Sequence, residues 1–183
     1  MDNGASSYRR FLDGDESAFD SIMKEYFDAL IFFIDRYVGD VYASEDIAID
    51  TFSDLLVHKS RYNFKVSLKT YLFMIGRSKA LNYIKHRKRT AVSDLSENEN
   101  IPDTENLPED TVLSDERKRE INSAIANLPE DMQIAVHLVY FEELSYEEAA
   151  KVMNKNTKQI DNLLYRAKNT LRTALGEKGK AII

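Results

Sequence analysis

The sequence predicts an all-α protein, because apolar residues recur at three- and four-residue spacing over long stretches and helix breakers are scarce. Only three prolines and six glycines occur among 183 residues. A third observation divides the chain. Residues 93–113 (SDLSENENIPDTENLPEDTVL) contain two of the prolines, seven acids and no base, a composition typical of an extended, self-repelling linker. We therefore expect two small helical domains joined by an acidic flexible linker.

The expected boundaries follow from that stretch. We place an N-terminal domain at residues 8–91, the linker at residues 92–113 and a C-terminal domain at residues 114–176. The alternative is a long surface loop within a single domain. Unstructured loops of this length are uncommon in compact domains, which favours the two-domain interpretation.

Two helices are predicted first in the N-terminal domain. Apolar spacing predicts a helix over residues 17–38, which Gly39 can end. Ser44 is the expected N-cap of a second helix, because Glu45 and an apolar run follow it and acids favour a helix start. That helix is expected to end near His58.

The third predicted helix runs over residues 68–89 and has apolar residues on two faces. Ser67 can cap its start, after a polar and aromatic loop over residues 60–66. A helix that is apolar on two sides packs between partners. Its last turns, Lys85 to Arg89 (KHRKR), must face solvent or phosphate, because such a run cannot all be buried.

The C-terminal domain is predicted to contain four helices. Ser114 is the expected cap of the first, and Pro129 the expected opening residue of the second, which carries apolar residues as far as Val139. Ser145 and Glu148 have the spacing of a capping box at the start of the third. A polar turn then leads to a long last helix over residues 158–175, which Gly176 can end.

A short capped helix, a tight turn and a long basic helix are typical of a helix-turn-helix. One apolar stripe of the last helix is formed by Ile160, Leu164, Ala167, Leu171 and Leu175, so the opposite side is free to read DNA. The alternative is an ordinary helical hairpin with a polar outside. The candidate DNA contacts are Asn156, Thr157, Lys158, Gln159, Asp161, Asn162, Tyr165, Arg166, Asn169 and Arg172.

Charge is distributed very unevenly along this acidic chain, whose net charge is -6. Between Leu55 and Val92 there are ten Lys and Arg residues and no acid, whereas residues 1–54 sum to -9. Polyanion binding depends on the local field, so the block predicts a nucleic-acid partner despite the low pI. The alternative is a solvated helix face.

Several function classes are disfavoured. The chain has no cysteine, and its three histidines share no metal-ligand spacing, so we expect no metal and no cofactor. No nucleophile, base and orienting group stand in a recognisable arrangement, so an enzyme is not expected. The polar N-terminus does not look like a signal peptide, and the longest apolar run, Ala29 to Ile34, is too short to span a membrane. A cytoplasmic protein is expected.

Two parts of the chain together resemble bacterial sigma factors. LPEDMQIAVHLVYFEELSYEEAAKVMNKNTKQIDNLLYRAKNTL is similar to region 4, with a Leu-Pro start, a Ser-Tyr-Glu-Glu helix start and a recognition helix ending in Arg-Ala. YASEDIAIDTFSDLL followed by SLKTYLFMIGRSKALNYIKHRKR is similar to region 2. Their order and the linker resemble the small extracytoplasmic-function (ECF) group of the sigma-70 family. The resemblance implies that residues 8–91 are region 2 and residues 114–176 are region 4.

The resemblance implies an alternative sigma factor that binds core RNA polymerase, recognises promoter DNA and helps to open it, without enzymatic activity. It also implies an anti-sigma factor as a partner and a monomer within the holoenzyme. The expected polymerase contacts are Glu45, Asp46, Ile49, Asp50 and Phe52. The alternative function is a stand-alone dimeric helix-turn-helix regulator, which does not account for the basic, aromatic segment from His58 to Arg89.

The resemblance assigns the basic block to the downstream promoter element. Residues 62–67 match a loop that takes a base extruded from the melted strand, and the helix from Leu68 to Arg89 matches one that lies against that strand. Tyr71 is expected in the core. The expected contacts are Arg61, Tyr62, Asn63, Phe64, Lys65, Arg77, Ser78, Lys79, Asn82, Lys85, Arg87, Lys88 and Arg89.

Residues 157–166 match the reader of the upstream promoter element. Asp161 stands where the family frequently has a basic residue. Its carboxylate would repel phosphate but can accept a hydrogen bond from a cytosine amino group. This departure concerns the promoter sequence and not the class of protein.

Overall fold

The computed structural model describes the backbone of residues 4–93 and 112–175 and the side chains of residues 4–90 and 119–175. This part of the chain is almost entirely helical and has no strand, so the all-α prediction is confirmed. Most of the predicted linker, residues 92–113, lies outside the described residues, as does Gly176. The described α-helices are α1 (Ala5–Leu12), α2 (Glu16–Val38), α3 (Val41–Val57), α4 (Leu68–Ser93), α5 (Val112–Ala126), α6 (Glu130–Val136), α7 (Tyr146–Met153) and α8 (Thr157–Leu175).

The N-terminal half is a bundle in which α2, α3 and α4 share one apolar core. Leu30 and Ile34 of α2 face α4 at Gly76, where an added Cβ would lie 2.9 Å from Leu30 Cδ1. The absent side chain therefore lets the two helices approach closely. Phe33 and Phe73 pack in the same interface, with ring centroids 4.8 Å apart. On its other side α4 contacts α7, as its two apolar faces predict.

The start of α3 differs from the prediction. Asp40, and not Ser44, is the N-cap, and its carboxylate accepts a hydrogen bond from the Ala43 N–H at 3.1 Å. Gly39 ends α2, as predicted, and its left-handed conformation lets the chain re-enter a helix almost at once. Ser44 is buried within α3, where its hydroxyl donates to the backbone oxygen of Asp40. Ser67 Oγ does accept from the Thr70 N–H, as expected of a cap.

Helix starts in the C-terminal half also differ from the prediction. Because α5 begins at Val112, Ser114 lies inside the helix and not at its cap. Pro129 is the N-cap of α6 and not its first residue. The helix predicted to continue through Val139 becomes a π turn over His137–Phe141. The apolar pattern alone does not reveal this extra residue per turn, which buries both His137 and Leu138.

Helices α7 and α8 form the predicted helix-turn-helix. Ser145 and Glu148 make a complete capping box at the start of α7. Asn154 ends α7 in the left-handed conformation, which asparagine tolerates better than most residues. Four residues of the predicted apolar stripe of α8 are buried, Ile160, Leu164, Ala167 and Leu171, and the fifth, Leu175, is half-buried.

The two halves pack against each other through α4 with α7 and α2 with α6. Glu148 Oε1 accepts hydrogen bonds from Ser67 Oγ and Thr70 Oγ1, each at 3.0 Å. Lys69 forms an ion pair with Glu142 at 2.7 Å. Glu148 therefore caps α7 with one carboxylate oxygen and joins the start of α4 with the other.

Candidate nucleic-acid interface

All the candidate DNA contacts on and just before α8 are exposed on its outward face. Every candidate from Asn156 to Arg172 is solvent-accessible, and Tyr165 is 68% exposed. Asn156 and Gln159 also cap each other: the Gln159 N–H donates to Asn156 Oδ1 at 2.8 Å, and the Asn156 N–H donates to Gln159 Oε1 at 2.9 Å. Their side-chain oxygens are thus engaged within the helix start, which leaves their exposed amide NH₂ groups available as donors.

Asp161 is the one acidic residue in the sequence of α8. It is exposed on the first turns of the helix, next to Asn162 and one turn before Tyr165 and Arg166. The N-terminal residues of a recognition helix are those that reach base edges. This surface therefore places one carboxylate, which can only accept hydrogen bonds, among neutral and cationic groups that can donate them.

The outer stripe of α4 is polar and basic. Ser78, Asn82, Lys85 and Arg89 follow one another at helical spacing and are exposed, and Arg87 and Lys88 extend this basic surface. Arg77 does not join them. It is half-buried and interacts with Tyr37 of α2.

Lys79 also faces away from this stripe. Its ammonium group forms ion pairs with Asp50 at 2.5 Å and Asp54 at 2.9 Å, both on α3. Burial opposes its charge, but the two carboxylates raise the pKa of Lys79 above its usual value. Lys79 therefore joins α3 to α4, and its charge is largely compensated within the protein.

The loop before α4 divides into buried and exposed groups. Arg61, Asn63 and Lys65 are exposed. Tyr62 is buried, and its hydroxyl donates to the Val66 backbone oxygen at 2.8 Å. Phe64 is half-buried and has a positive φ of 61°. The structure thus places Tyr62 beneath the loop surface and leaves the neighbouring polar groups on it.

The predicted polymerase contacts lie on α3. Glu45, Asp46, Ile49 and Asp50 share its exposed face, whereas Phe52 is buried against aromatic rings of α2. Sequence reasoning missed the exposed apolar groups of the same helix, which are Val41, Tyr42, Leu56 and Val57. Their spacing relative to Ile49 could have indicated them, because Tyr42, Ile49 and Leu56 recur every seven residues.

A buried histidine lies where the two halves meet. His137 stacks between Phe33 and Phe141, with centroids 6.4 Å and 5.8 Å away. Burial, with a smaller effect from the nearby cations Arg36 and Lys69, lowers the pKa of His137 to about 3. Glu142 Oε1 lies 3.3 Å from its Nε2 and would favour the imidazolium. That carboxylate is already paired with Lys69, so the effect of burial dominates.

The described residues contain neither a membrane-spanning helix nor a cluster of metal ligands. Within residues 4–93 and 112–175, no helix is both long and apolar enough to cross a membrane. Among the side chains of residues 4–90 and 119–175, no three His, Asp or Glu groups converge as metal ligands would.

The fold and its exposed surfaces define a two-part helical protein whose basic helix faces suit a nucleic-acid partner. Comparison with known families agrees: a model for sigma-70 region 2 matches residues 22–90, and one for sigma-70 region 4 matches residues 118–171. The RNA polymerase sigma-H factor of Pseudomonas aeruginosa is 30% identical over 173 residues, covering 88% of each chain. The ECF sigma factor SigM of Bacillus subtilis is 27% identical over 161 residues, covering 87% of this chain and 96% of that protein.

Solved structures show the same fold. The sigma factor RpoE of Bartonella quintana, crystallised with the anti-sigma factor NepR, aligns with a TM-score of 0.68 at 22% identity. The alignment covers 87% of this chain and 97% of that one. CnrH, solved with the cytosolic domain of CnrY, aligns with a TM-score of 0.61 at 17% identity, covering 94% of each chain.

This chain belongs to the sigma-70 family of bacterial RNA polymerase sigma factors, in its ECF group. It is an alternative sigma factor, a class of transcription initiation factors. The stand-alone dimeric regulator is not favoured, because the region 2 match accounts for the basic, aromatic segment that such a regulator does not need.

Proposed function

We propose that three separate surfaces divide the work of initiation. The acidic and apolar face of α3 binds core RNA polymerase, where charge complementarity can steer association. The basic stripe of α4 and the loop before it hold the melted strand of the downstream element. The outward face of α8 reads the upstream element in the major groove. The observation that carries the proposal is the basic outer stripe of α4, next to the loop that carries Phe64, in the same chain as a helix-turn-helix.

The proposal also covers where the protein acts, its state in the holoenzyme, its lack of a catalytic group and the bounds of its domains. The chain acts in the cytoplasm as a monomer within the holoenzyme and supplies no catalytic group of its own. Region 2 corresponds to residues 8–91, the linker to residues 92–113 and region 4 to residues 114–176. The family matches over 22–90 and 118–171 support this division.

The decisive experiment is in-vitro transcription with core RNA polymerase on a random promoter library. We expect specific initiation only when this chain is added, with two enriched sequence elements upstream of the start sites. The free protein should bind duplex promoter DNA weakly and co-elute with core polymerase. Tight operator binding by a dimer without polymerase would instead support the stand-alone regulator.

We also propose an anti-sigma partner. The relatives RpoE and CnrH were solved with NepR and with the cytosolic domain of CnrY, respectively, which supports a similar partner here. Such a partner is expected to cover polymerase-binding or DNA-binding faces of both domains. A pull-down from native cells should recover it, and a pull-down that recovers only polymerase subunits would contradict this proposal.

Asp161 is expected to select one base pair of the upstream element. Replacing Asp161 with Ala should abolish a cytosine preference of about 5- to 100-fold at one position of the library profile, as expected for one good base contact. Asn162→Ala is the matched control and should alter a different position. An unchanged profile for Asp161→Ala would show that this carboxylate does not read a base.

A further inference from the structure

Helix α1 lies outside both family matches, yet it is attached to both ends of the loop before α4. Tyr8 is fully buried, and its hydroxyl lies 3.2 Å from the Leu55 backbone oxygen and 3.1 Å from that of Lys59. At the other end, an added Cβ at Gly4 would lie 3.1 Å from Leu68 Cβ, the first residue of α4. One short helix therefore spans the whole connection between α3 and α4.

The contacts of α1 with the loop itself are aromatic. The Tyr8 ring packs edge-on against Tyr62, with centroids 5.4 Å apart, and lies 6.2 Å from Phe64. The Arg9 guanidinium lies over the Phe64 ring, 5.0 Å from its centroid. Phe64 also packs on Tyr62 at 4.6 Å. The Phe64 ring is thus held between α1 and the buried tyrosine beneath it.

Phe64 is the residue of the loop that most needs such support. Its φ of 61° lies in the left-handed region, which is unfavourable for a bulky residue and persists only where surrounding contacts impose it. Asn63 Oδ1 accepts a hydrogen bond from the Lys65 N–H at 3.1 Å, so the turn brings two exposed polar residues to either side of the ring. The result is a partly exposed aromatic ring flanked by an amide and a cation.

We propose that α1 is a brace that holds this loop ready to receive an unstacked base, with Tyr8 and Arg9 as positioning residues. A base can pack against the exposed part of the Phe64 ring, bond to the Asn63 amide and place its phosphate near Lys65. A loop already held in this conformation loses less conformational entropy when it binds. The inference rests on the proposed role of residues 62–67 in binding the melted strand.

The test uses holoenzyme assembled from core polymerase and the full chain. Its ligand is a single-stranded oligonucleotide with the downstream element recovered from the promoter library. Tyr8→Phe removes the hydroxyl and keeps the ring, whereas Arg9→Gln removes the guanidinium above Phe64. Ile34→Val is the matched control, because it removes one buried methylene from the contact with Gly76, away from the loop. All variants are measured at a temperature at which circular dichroism shows them folded.

We expect Tyr8→Phe and Arg9→Gln each to weaken binding of the single strand about threefold to tenfold, as for the loss of one positioning contact. Binding of a duplex containing only the upstream element should be unchanged, and so should both activities of Ile34→Val. If Tyr8→Phe and Arg9→Gln bind the single strand as well as Ile34→Val does, the proposed role of α1 as a brace is wrong. If wild-type holoenzyme shows no sequence preference for the single strand, the proposed function of the loop fails instead.

Discussion

Replacing Lys85, Arg87, Lys88 and Arg89 together with Gln is expected to lower promoter-complex formation about a hundredfold or more near 0.1 M salt. The four side chains are exposed at the end of α4. Each cation that contacts a phosphate releases a counterion, so the slope of log affinity against log salt should become shallower by about 3. Filter binding of holoenzyme to a promoter over a salt series measures both quantities.

The control is a single substitution of a cation on another surface, compared with a single substitution at the end of α4. Lys24 is exposed on α2, and Lys24→Gln removes one charge, as Lys88→Gln does. Gln is a good helix former, so neither change should disturb its helix. We expect Lys88→Gln to reduce the salt slope and Lys24→Gln to leave it unchanged. An unchanged slope for the fourfold variant would mean that the end of α4 is only a solvated helix face.

The second large effect is on stability and arises from His137. Its folded pKa of about 3 lies below its ordinary value of 6.5, so the unfolded chain binds the proton first as pH falls. The stabilisation is complete above the unfolded pKa and is lost progressively between pH 6.5 and pH 3. Between pH 7 and pH 5 this group should lower the free energy of unfolding by about 2 kcal/mol.

The measurement is urea unfolding at a series of pH values for wild type and His137→Phe. Phenylalanine can occupy the site between Phe33 and Phe141 without a proton to bind. The variant should therefore lose most of the pH dependence between pH 7 and pH 5 and be more stable than wild type at pH 5. Carboxylates titrate in both proteins, so the difference between them isolates the histidine. Parallel curves would show that His137 is not held neutral by burial.

Much of the fold could be predicted because its signals are local. The stripe of α8 and the capping box of Ser145 and Glu148 depend on residues within a few positions of one another. The predicted start of α3 was wrong, although its capping signals are also local. Asp40 and Ser44 are both good N-cap residues, and only the left-handed turn at Gly39 decides between them. Helix α1 was missed because two buried residues in eight, Tyr8 and Phe11, make too weak a pattern.

The residues of the candidate site could be predicted from the sequence, but which of them are exposed on one surface could not. Lys79 and Asn82 lie three residues apart on α4, yet one is paired with Asp50 and Asp54 and the other faces solvent. Phe52 and Tyr62 belong to predicted binding segments, yet both are buried. Which side of a helix is covered depends on residues far away in the chain, and periodicity does not report them.

The sequence by itself determined the class of protein, the helical architecture and the charge of each helix, because spacing, caps and composition are properties of neighbouring residues. The tertiary structure alone decided which cations are free, how α1 supports the loop at Phe64 and how His137 is buried. Those features arise from contacts between distant residues, such as Tyr8 with Leu55 and Glu148 with Ser67, which are separated by 47 and 81 positions. Burial and pairing set their energies, and neither exists until the helices have packed.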